Sequence, residues 1–266
     1  MSIDLLAWTA LVAKVTVTAG IVVAASLIAE RVGALAGALI ATLPVTIWPA
    51  YVLIALDHDA TYVAKAALSG LAINAGTAMF LLLYAALAQK RGIIVSLVPS
   101  IGCWMLLAIL ENSIGWTLAG AAALNLIVYP VCLWLGSTMR AAGMPRLRHA
   151  WYDLPMRVLL VCALMVMILE ASRWAGPVLT GVLAVYPISS TSLILILQPR
   201  IGGPAAAAVI ANSLWSLFGI SFSLVALNLL IVPFGAPVAL AAALAIPLAW
   251  NLTVWNMHQN LAQAAR

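Results

Sequence analysis

Long apolar runs separated by short polar breaks fill almost the whole chain. Several runs exceed the ~18 apolar residues that predict a membrane-spanning helix. The breaks carry charges and turn residues, as at Asp57-His58-Asp59 and Gln89-Lys90-Arg91-Gly92. This pattern predicts nine transmembrane helices, at approximately residues 5–29, 33–56, 60–88, 93–111, 114–136, 153–172, 177–198, 203–232 and 236–257.

Composition supports the same class. Of the 266 residues, 66% are hydrophobic and 7% are charged, whereas a soluble domain is usually about 25% charged. We therefore expect an all-α polytopic membrane protein whose main partner is the lipid bilayer. The net charge of +5 does not indicate nucleic acid, because the basic residues lie mostly in loops.

The basic residues also predict an orientation, because cytoplasmic loops carry the excess of Lys and Arg. Nine spans put the termini on opposite faces, and nine basic residues then fall on one face against two on the other. The larger group comprises Arg31, Lys90, Arg91, Arg140, Arg146, Arg148, Arg157, Arg200 and Arg266. The N-terminus is thus predicted outside and the C-terminus in the cytoplasm.

Two stretches, ATLPVTIWPAY at 41–51 and AVYPISSTSLI at 184–194, place a proline inside a predicted span. A shift of 143 residues superposes Pro44 on Pro187, and it also superposes Gly92 on Gly235. Further matches at this offset join Lys14 to Arg157, Thr46 to Ser189 and Gly76 to Gly219. One offset that serves so much of the chain indicates an internal duplication.

The predicted span count makes the two repeats inverted. Each repeat contains four spans, and the fifth span lies between them, so equivalent positions are separated by an odd number of crossings. The predicted units are a first four-helix repeat at 1–112, a linker helix with a basic cytoplasmic loop at 113–147, and a second, inverted repeat at 148–266. Inverted repeats of this kind recur among secondary transporters.

Proline-broken helices at equivalent positions of two halves indicate a binding site near the membrane midplane. Predicted helices two and seven form such a pair, and hydroxyl, amide and basic side chains accompany them. The candidate substrate-binding residues are Lys14, Thr42, Pro44, Thr46, Trp48, Asn74, Arg157, Tyr186, Pro187, Ser189, Ser190, Thr191 and Asn212.

Each candidate also has a structural interpretation that the sequence leaves open. The prolines kink packed helices while nearby hydroxyls bond the preceding turn, and Trp48 fills core. Lys14 and Arg157 extend to the membrane interface. Asn74 and Asn212 bond neighbouring helices.

Other chemistry-bearing residues do not form a recognisable catalytic or metal site, and we predict neither an enzyme nor a cofactor. Cys103, Cys132 and Cys162 all fall in apolar spans without a CxxC spacing. Glu111 is expected to lie in a tight outer turn, either capping a helix or solvated. Glu170 and Arg173 are three residues apart and are expected to pair at the outer interface.

Residues 33–46, GALAGALIATLPVT, resemble part of the small GlpM-type bacterial inner-membrane proteins, through Ala36-Gly37 and Pro44 with Thr46. The second half is similar to uncharacterised bacterial membrane proteins in which a Gly-Pro pair, here Gly176-Pro177, precedes a proline such as Pro187. The resemblance covers about 60 residues per half. It implies a duplicated four-span unit and no particular activity.

These observations favour a multi-pass secondary transporter of the bacterial inner membrane. Its small-molecule substrate would be anionic or zwitterionic because of Lys14 and Arg157. The alternatives are a non-transporting membrane subunit, or a lipid flippase, in envelope polysaccharide or lipid assembly. In the first alternative the Arg-rich segment 140–148 would bind a partner or anionic lipid. The sequence leaves a homodimer open.

Overall fold

The computed structural model describes residues 47–111, 113–140 and 152–264, and the isolated positions 9, 16, 17, 19, 20, 23 and 24 before them. Within these ranges the secondary structure is helical and contains no strand, which confirms the all-α class. The predicted span 5–29 and most of the span 33–56 lie outside the described residues, as do the predicted unit boundaries at residues 112 and 147.

Outside the segment 141–151, which is not described, the helices follow one another through short connections. In chain order they are α1 Ile47–Asp57, α2 Ala60–Ala88, α3 Ile93–Glu111, α4 Leu118–Leu135, α5 Asp153–Trp174, α6 Gly176–Ala184, α7 Ile188–Ile201 and α8 Gly203–Ala264, with a 3₁₀ helix, Ser137–Met139, after α4. Two of the predicted spans, 60–88 and 93–111, have the same bounds as α2 and α3.

Within the described ranges, six helical segments are long and apolar enough to cross a membrane. The six are Ala60–Ala88, Ile93–Glu111, Leu118–Leu135, Asp153–Trp174, Gly176–Ile201 and Gly203–Met257. Large apolar side chains such as Ile94, Trp134 and Leu159 are mostly exposed on the outside of the bundle. Water-facing surfaces seldom carry so many, so these faces suit contact with lipid. The described helices are thus compatible with a multi-pass membrane protein.

Two breaks divide otherwise continuous apolar segments. Within α8, Gly235 adopts φ 78° and ψ 171°, a backbone conformation that glycine reaches far more readily than other residues. This break separates residues 203–234 from 236–264, where the sequence predicts two spans. The second break lies between α6 and α7 and is described with the candidate site.

Helix α2 forms the centre of the bundle and runs antiparallel to the first part of α8. Near the end of α2, Ala88 packs against Gly203, the first residue of α8. Halfway along, Asn74 Nδ2 lies 3.5 Å from the carbonyl oxygen of Leu217. Near the start of α2, Asn228 Nδ2 donates to the carbonyl of Ala64 at 2.8 Å. The two helices therefore pack along almost their full length in opposite directions.

Small residues allow the helices to pack this closely. A Cβ atom added at Gly181 of α6 would lie 1.9 Å from the carbonyl oxygen of Ala66, and one added at Gly203 would lie 1.9 Å from that of Ala88. In lipid, the acyl chains are as apolar as the helix surfaces, so the hydrophobic effect does not drive helices together. Their association depends instead on close van der Waals contact. Glycine at these positions brings the backbones of α6 and α8 onto α2.

Polar contacts order the end of the bundle at which α2 begins. The Asp59 side chain accepts from the amide of Tyr62 at 2.7 Å and caps α2. The Tyr62 hydroxyl lies 2.9 Å from the carbonyl of Ser172 and 2.9 Å from Thr180 Oγ1, so it joins α2 to α5 and α6. The predicted Glu170–Arg173 pair is present at 3.3 Å on the exposed surface of α5.

Candidate functional site

Residues 185–187 form a non-helical segment between α6 and α7, which we call the helix break. Proline lacks an amide hydrogen and cannot continue the hydrogen-bond ladder of α6, and Pro187 instead precedes α7 with φ −76° and ψ 54°. The amide of Ile188 donates to the carbonyl of Tyr186 at 2.7 Å across the bend. The sequence predicts an interruption at Pro187, and the structure has two separate helices there.

Side chains of α2 and α3 hold this break in place. Thr77 Oγ1 donates to the carbonyl of Val185 at 3.5 Å, and it accepts from Trp104 Nε1 at 3.1 Å. The ring of Trp104 meets that of Tyr186 edge to face, with centroids 5.0 Å apart. The non-helical backbone is thus covered by protein, as irregular backbone within a membrane requires.

The hydroxyl groups after the break fall into two classes. Thr191 Oγ1 donates to the carbonyl of Pro187 at 2.9 Å, and Ser192 Oγ donates to that of Ser189 at 2.8 Å. These two contacts match the structural interpretation, in which hydroxyls bond the preceding turn. The side-chain hydroxyls of Tyr186, Ser189 and Ser190 make no hydrogen bond with the described residues, which leaves three polar groups beside the break for a ligand.

Asn74 belongs to a buried polar network where α2, α4 and α8 meet. Its Nδ2 donates to Asn125 Oδ1 at 3.2 Å and to Ser221 Oγ at 3.0 Å. Asn125 Nδ2 donates to the carbonyls of Leu71 and Ala121 at 2.7 and 2.9 Å, which fixes Asn125 Oδ1 as the acceptor.

The same arrangement leaves one acceptor of the network unused. Because Asn125 Oδ1 must accept, Asn74 presents its Nδ2 to it and directs its own Oδ1 elsewhere. Asn74 Oδ1 is buried and has no hydrogen-bond partner among the described residues. The two interpretations of Asn74 therefore apply to different atoms of its amide. Nδ2 bonds neighbouring helices, whereas Oδ1 is the atom that a pathway role would use. Asn125 itself was not among the predicted site residues.

A second buried network, which the sequence analysis missed, lies where α2 ends. Gln198 Oε1 accepts from the hydroxyls of Tyr84 at 3.0 Å and Ser96 at 3.2 Å. Its Nε2 donates to the carbonyl of Arg91 at 3.1 Å. In the sequence, Gln198-Pro199-Arg200 has the composition of a loop, yet Gln198 lies inside α7 and joins it to α2 and α3.

The structure distributes the remaining predicted residues widely. Trp48 is half-buried on α1, and its Nε1 donates to the carbonyl of Leu240 in α8 at 3.0 Å. The side chain of Asn212 is exposed, and its Nδ2 donates to the carbonyl of Ala208 in its own helix at 2.9 Å. Arg157 is half-buried on α5. The predicted residues Lys14, Thr42, Pro44 and Thr46 lie outside the described part of the chain.

Basic side chains close the end of the bundle at which α2 ends. Arg200 of α7 pairs with Asp153 of α5 at 2.7 Å. Arg140 donates to the carbonyl of Leu133 at the end of α4, and its guanidinium lies 5.9 Å from the ring centre of Trp215. Burial lowers the pKa of Arg140, which nevertheless remains a cation at neutral pH.

Glu111 is buried in the bundle, whereas the sequence predicts that it lies in an outer turn. A capping or solvated residue in an outer turn was expected, but Glu111 is only 8% exposed and lies against the backbone of Ile73 in α2. The difference arises because α3 ends while still packed on α2, so the Glu-Asn-Ser sequence that resembles a turn begins inside the bundle.

Within the described ranges, no group of three or more His, Cys, Asp or Glu residues is positioned to hold a metal ion. No protein-family model matches the chain, and no curated protein and no solved structure matches it. A functional proposal therefore depends on the side chains at the helix break and at the contact between α2 and α8.

Proposed function

We propose that the protein is a secondary transporter of the bacterial inner membrane that moves a small anionic or zwitterionic solute by alternating access. In this proposal nine spans form two inverted four-helix repeats around a linker helix, with the N-terminus outside and the C-terminus in the cytoplasm. The solute would bind between the helix break at Pro187 and the equivalent position at Pro44.

The observation that carries the proposal is the antiparallel contact of α2 with residues 203–234. Asn74 contacts Leu217, which lies 143 positions further along the chain. This is the offset that superposes the two halves of the sequence. A residue that contacts its own repeat equivalent lies close to a two-fold axis, because such an axis exchanges the two. Since the two helices are antiparallel, the axis would lie in the membrane plane, as in transporters with inverted repeats.

Helix boundaries at the same offset support the duplication. Helix α2 begins at Ala60 and α8 at Gly203, 143 positions later. Gly92, just before α3, corresponds to Gly235, where α8 breaks. The contact of Ala88 with Gly203 also fits a two-fold relation. At the offset of 143, Ala88 corresponds to Ile231 and Gly203 corresponds to Ala60. A two-fold axis would therefore pair Ile231 with Ala60, at the other end of the same two helices.

The helix break supports a binding site rather than a simple kink. Backbone groups freed by a discontinuous membrane helix commonly contact substrate in transporters built from inverted repeats. The hydroxyls of Tyr186, Ser189 and Ser190, which have no hydrogen-bond partner among the described residues, supply both donors and acceptors. Lys14 is the predicted cation of the site, and it favours a substrate with a carboxylate or phosphate group.

Uptake into proteoliposomes tests this function. Vesicles containing the protein and protein-free vesicles are offered the same panel of small carboxylates, phosphate esters and amino acids, with mass spectrometry of the vesicle contents. We expect selective accumulation of one class in the protein-containing vesicles, and Lys14→Ala to reduce it by at least about tenfold, which corresponds to 1.4 kcal/mol. Accumulation that is equal in the two kinds of vesicle would contradict the proposal, and unchanged uptake by Lys14→Ala would remove the lysine from the site.

A further inference from the structure

A carboxylic acid is buried inside the described bundle at the depth of the middle of α2. Glu111 lies against the backbone of Ile73 and is 8% exposed. Neighbouring contacts on the same two helices agree with this position. Trp104 bonds Thr77, and a Cβ atom added at Gly76 would lie 3.5 Å from that of Leu107, one turn before Glu111.

The position along α2 gives the depth of the carboxyl group. Helix α2 has 29 residues, and Ile73 is at its centre, about 20 Å of helical rise from either end. The hydrocarbon core of a bilayer is about 30 Å thick. Glu111 is also the last residue of α3, and Ile73 lies eight residues beyond Lys65, about 12 Å of helical rise into the apolar part of α2. The carboxyl group is therefore buried within the apolar part of the bundle, where an ionisable group is costly and is usually functional.

Among α2, α4 and residues 203–257 of α8, the one cation is Lys65 of α2, which is exposed and about 12 Å of helical rise from Ile73. Helix α2 carries no charged residue between Lys65 and Lys90, α4 carries none, and α8 carries none before His258. Besides Glu111, the titratable groups on these helices and on α3 are Tyr62, Lys65, Tyr84, Cys103, Tyr129, Cys132 and, near the end of α8, His258.

The other acids of the described spans have partners, since Asp153 pairs with Arg200 and Glu170 with Arg173. Among the described residues Glu111 has no such partner, and a buried carboxylate in this situation is strongly disfavoured and takes up a proton instead.

We propose that Glu111 is the proton-binding residue of this protein, and that its protonation controls which side of the membrane the helix break faces. The neutral acid is compatible with the packed arrangement seen here. Release of the proton to water requires a second arrangement in which water reaches the carboxylate. Protonation thus favours one arrangement and deprotonation the other, which couples solute movement to protons. This inference depends on the proposed transport function.

The protonation state is tested first, without any substrate. An apolar carbodiimide reacts with protonated carboxyl groups in apolar surroundings, and mass spectrometry locates the adduct. At neutral pH we expect modification of Glu111 in the full-length protein, and none of Glu170, which is exposed and paired. Absence of the adduct at Glu111, with an adduct formed after acidification, would show an ionised group and overturn the proposal.

The coupling is tested with a cysteine placed at Ser190, beside the break, in a chain whose 3 native cysteines are replaced. A membrane-impermeant maleimide is applied from either side of oriented vesicles over a range of pH. We expect the ratio of labelling from the two sides to change with pH, and this dependence to be lost in Glu111→Gln. Glu111→Asp keeps the carboxylic acid and should retain the pH dependence. Its retention would show that the loss in Glu111→Gln does not come from misfolding.

The outcomes separate the two proposals. Labelling from both sides with the same pH dependence in Glu111→Gln would overturn the role of Glu111 and leave the transport proposal standing. Labelling from one side only, at every pH, would contradict alternating access itself and the coupling that depends on it.

Discussion

Gly181→Ala is expected to destabilise the purified protein by about 3 kcal/mol or more, at the upper end of what overpacking costs. The added methyl group would lie 1.9 Å from the carbonyl oxygen of Ala66 and 2.7 Å from its carbonyl carbon. Both atoms belong to the backbone of α2, so no side-chain rotation relieves the clash. Helix α6 must move away from α2, and the break at residues 185–187 moves with it. Thermal unfolding in detergent measures the effect as a lower melting temperature.

Gly102→Ala is the matched control. Gly102 lies inside α3 with nothing within 4 Å of an added Cβ atom. The same substitution there should leave the melting temperature unchanged or raise it slightly, because alanine favours a helix. Equal melting temperatures for the two variants would contradict the close packing of α6 on α2.

Asn125→Leu is expected to destabilise the protein by about 2 kcal/mol, the typical cost of leaving buried polar groups unpaired. The substitution removes the acceptor of Asn74 Nδ2 and Ser221 Oγ, and it removes the donor to the carbonyl of Leu71. Hydrogen bonds between membrane helices average less than this, about 0.6 kcal/mol each. The larger figure follows because one substitution affects several bonds at once.

Asn212→Leu provides the comparison for the same change of residue. The Asn212 side chain is exposed and bonds its own helix at the carbonyl of Ala208. Replacement by leucine at this exposed position should change stability by no more than about 0.5 kcal/mol. A melting temperature that falls equally in both variants would show that the network at Asn74 contributes nothing specific.

Much of the helical pattern could be predicted from the sequence, because it depends on local properties. Apolar runs bounded by Asp57-His58-Asp59 and by Gln89-Lys90-Arg91-Gly92 delimit α2 as the structure has it. Pro187 ends α6 because proline lacks a backbone donor, whatever surrounds it. At Gly235, where the sequence predicts the boundary between two spans, the structure has a glycine with positive φ.

The depth and partners of polar residues could not be predicted in this way, because they depend on how whole helices are placed. Glu111 has the sequence context of a turn, but α3 ends against the middle of α2. Gln198 has the context of a loop, but it accepts from Tyr84 and Ser96 inside the bundle. Asn125 is one amide in an apolar span, and nothing nearby in the sequence indicates that it fixes the orientation of Asn74.

Labelling of Ser190→Cys from each side of the membrane tests whether the helix break has alternating access. The side chain is buried beside the break and its hydroxyl is unpaired among the described residues. Arg91→Cys and Phe234→Cys are controls, because both positions are exposed at opposite ends of the bundle. Each control should react with an impermeant maleimide from one side only, the two from opposite sides.

With those controls satisfied, we expect Ser190→Cys to react from both sides of the membrane, and a transported solute to slow the reaction on each side. Reaction from one side alone, or from neither, would contradict alternating access.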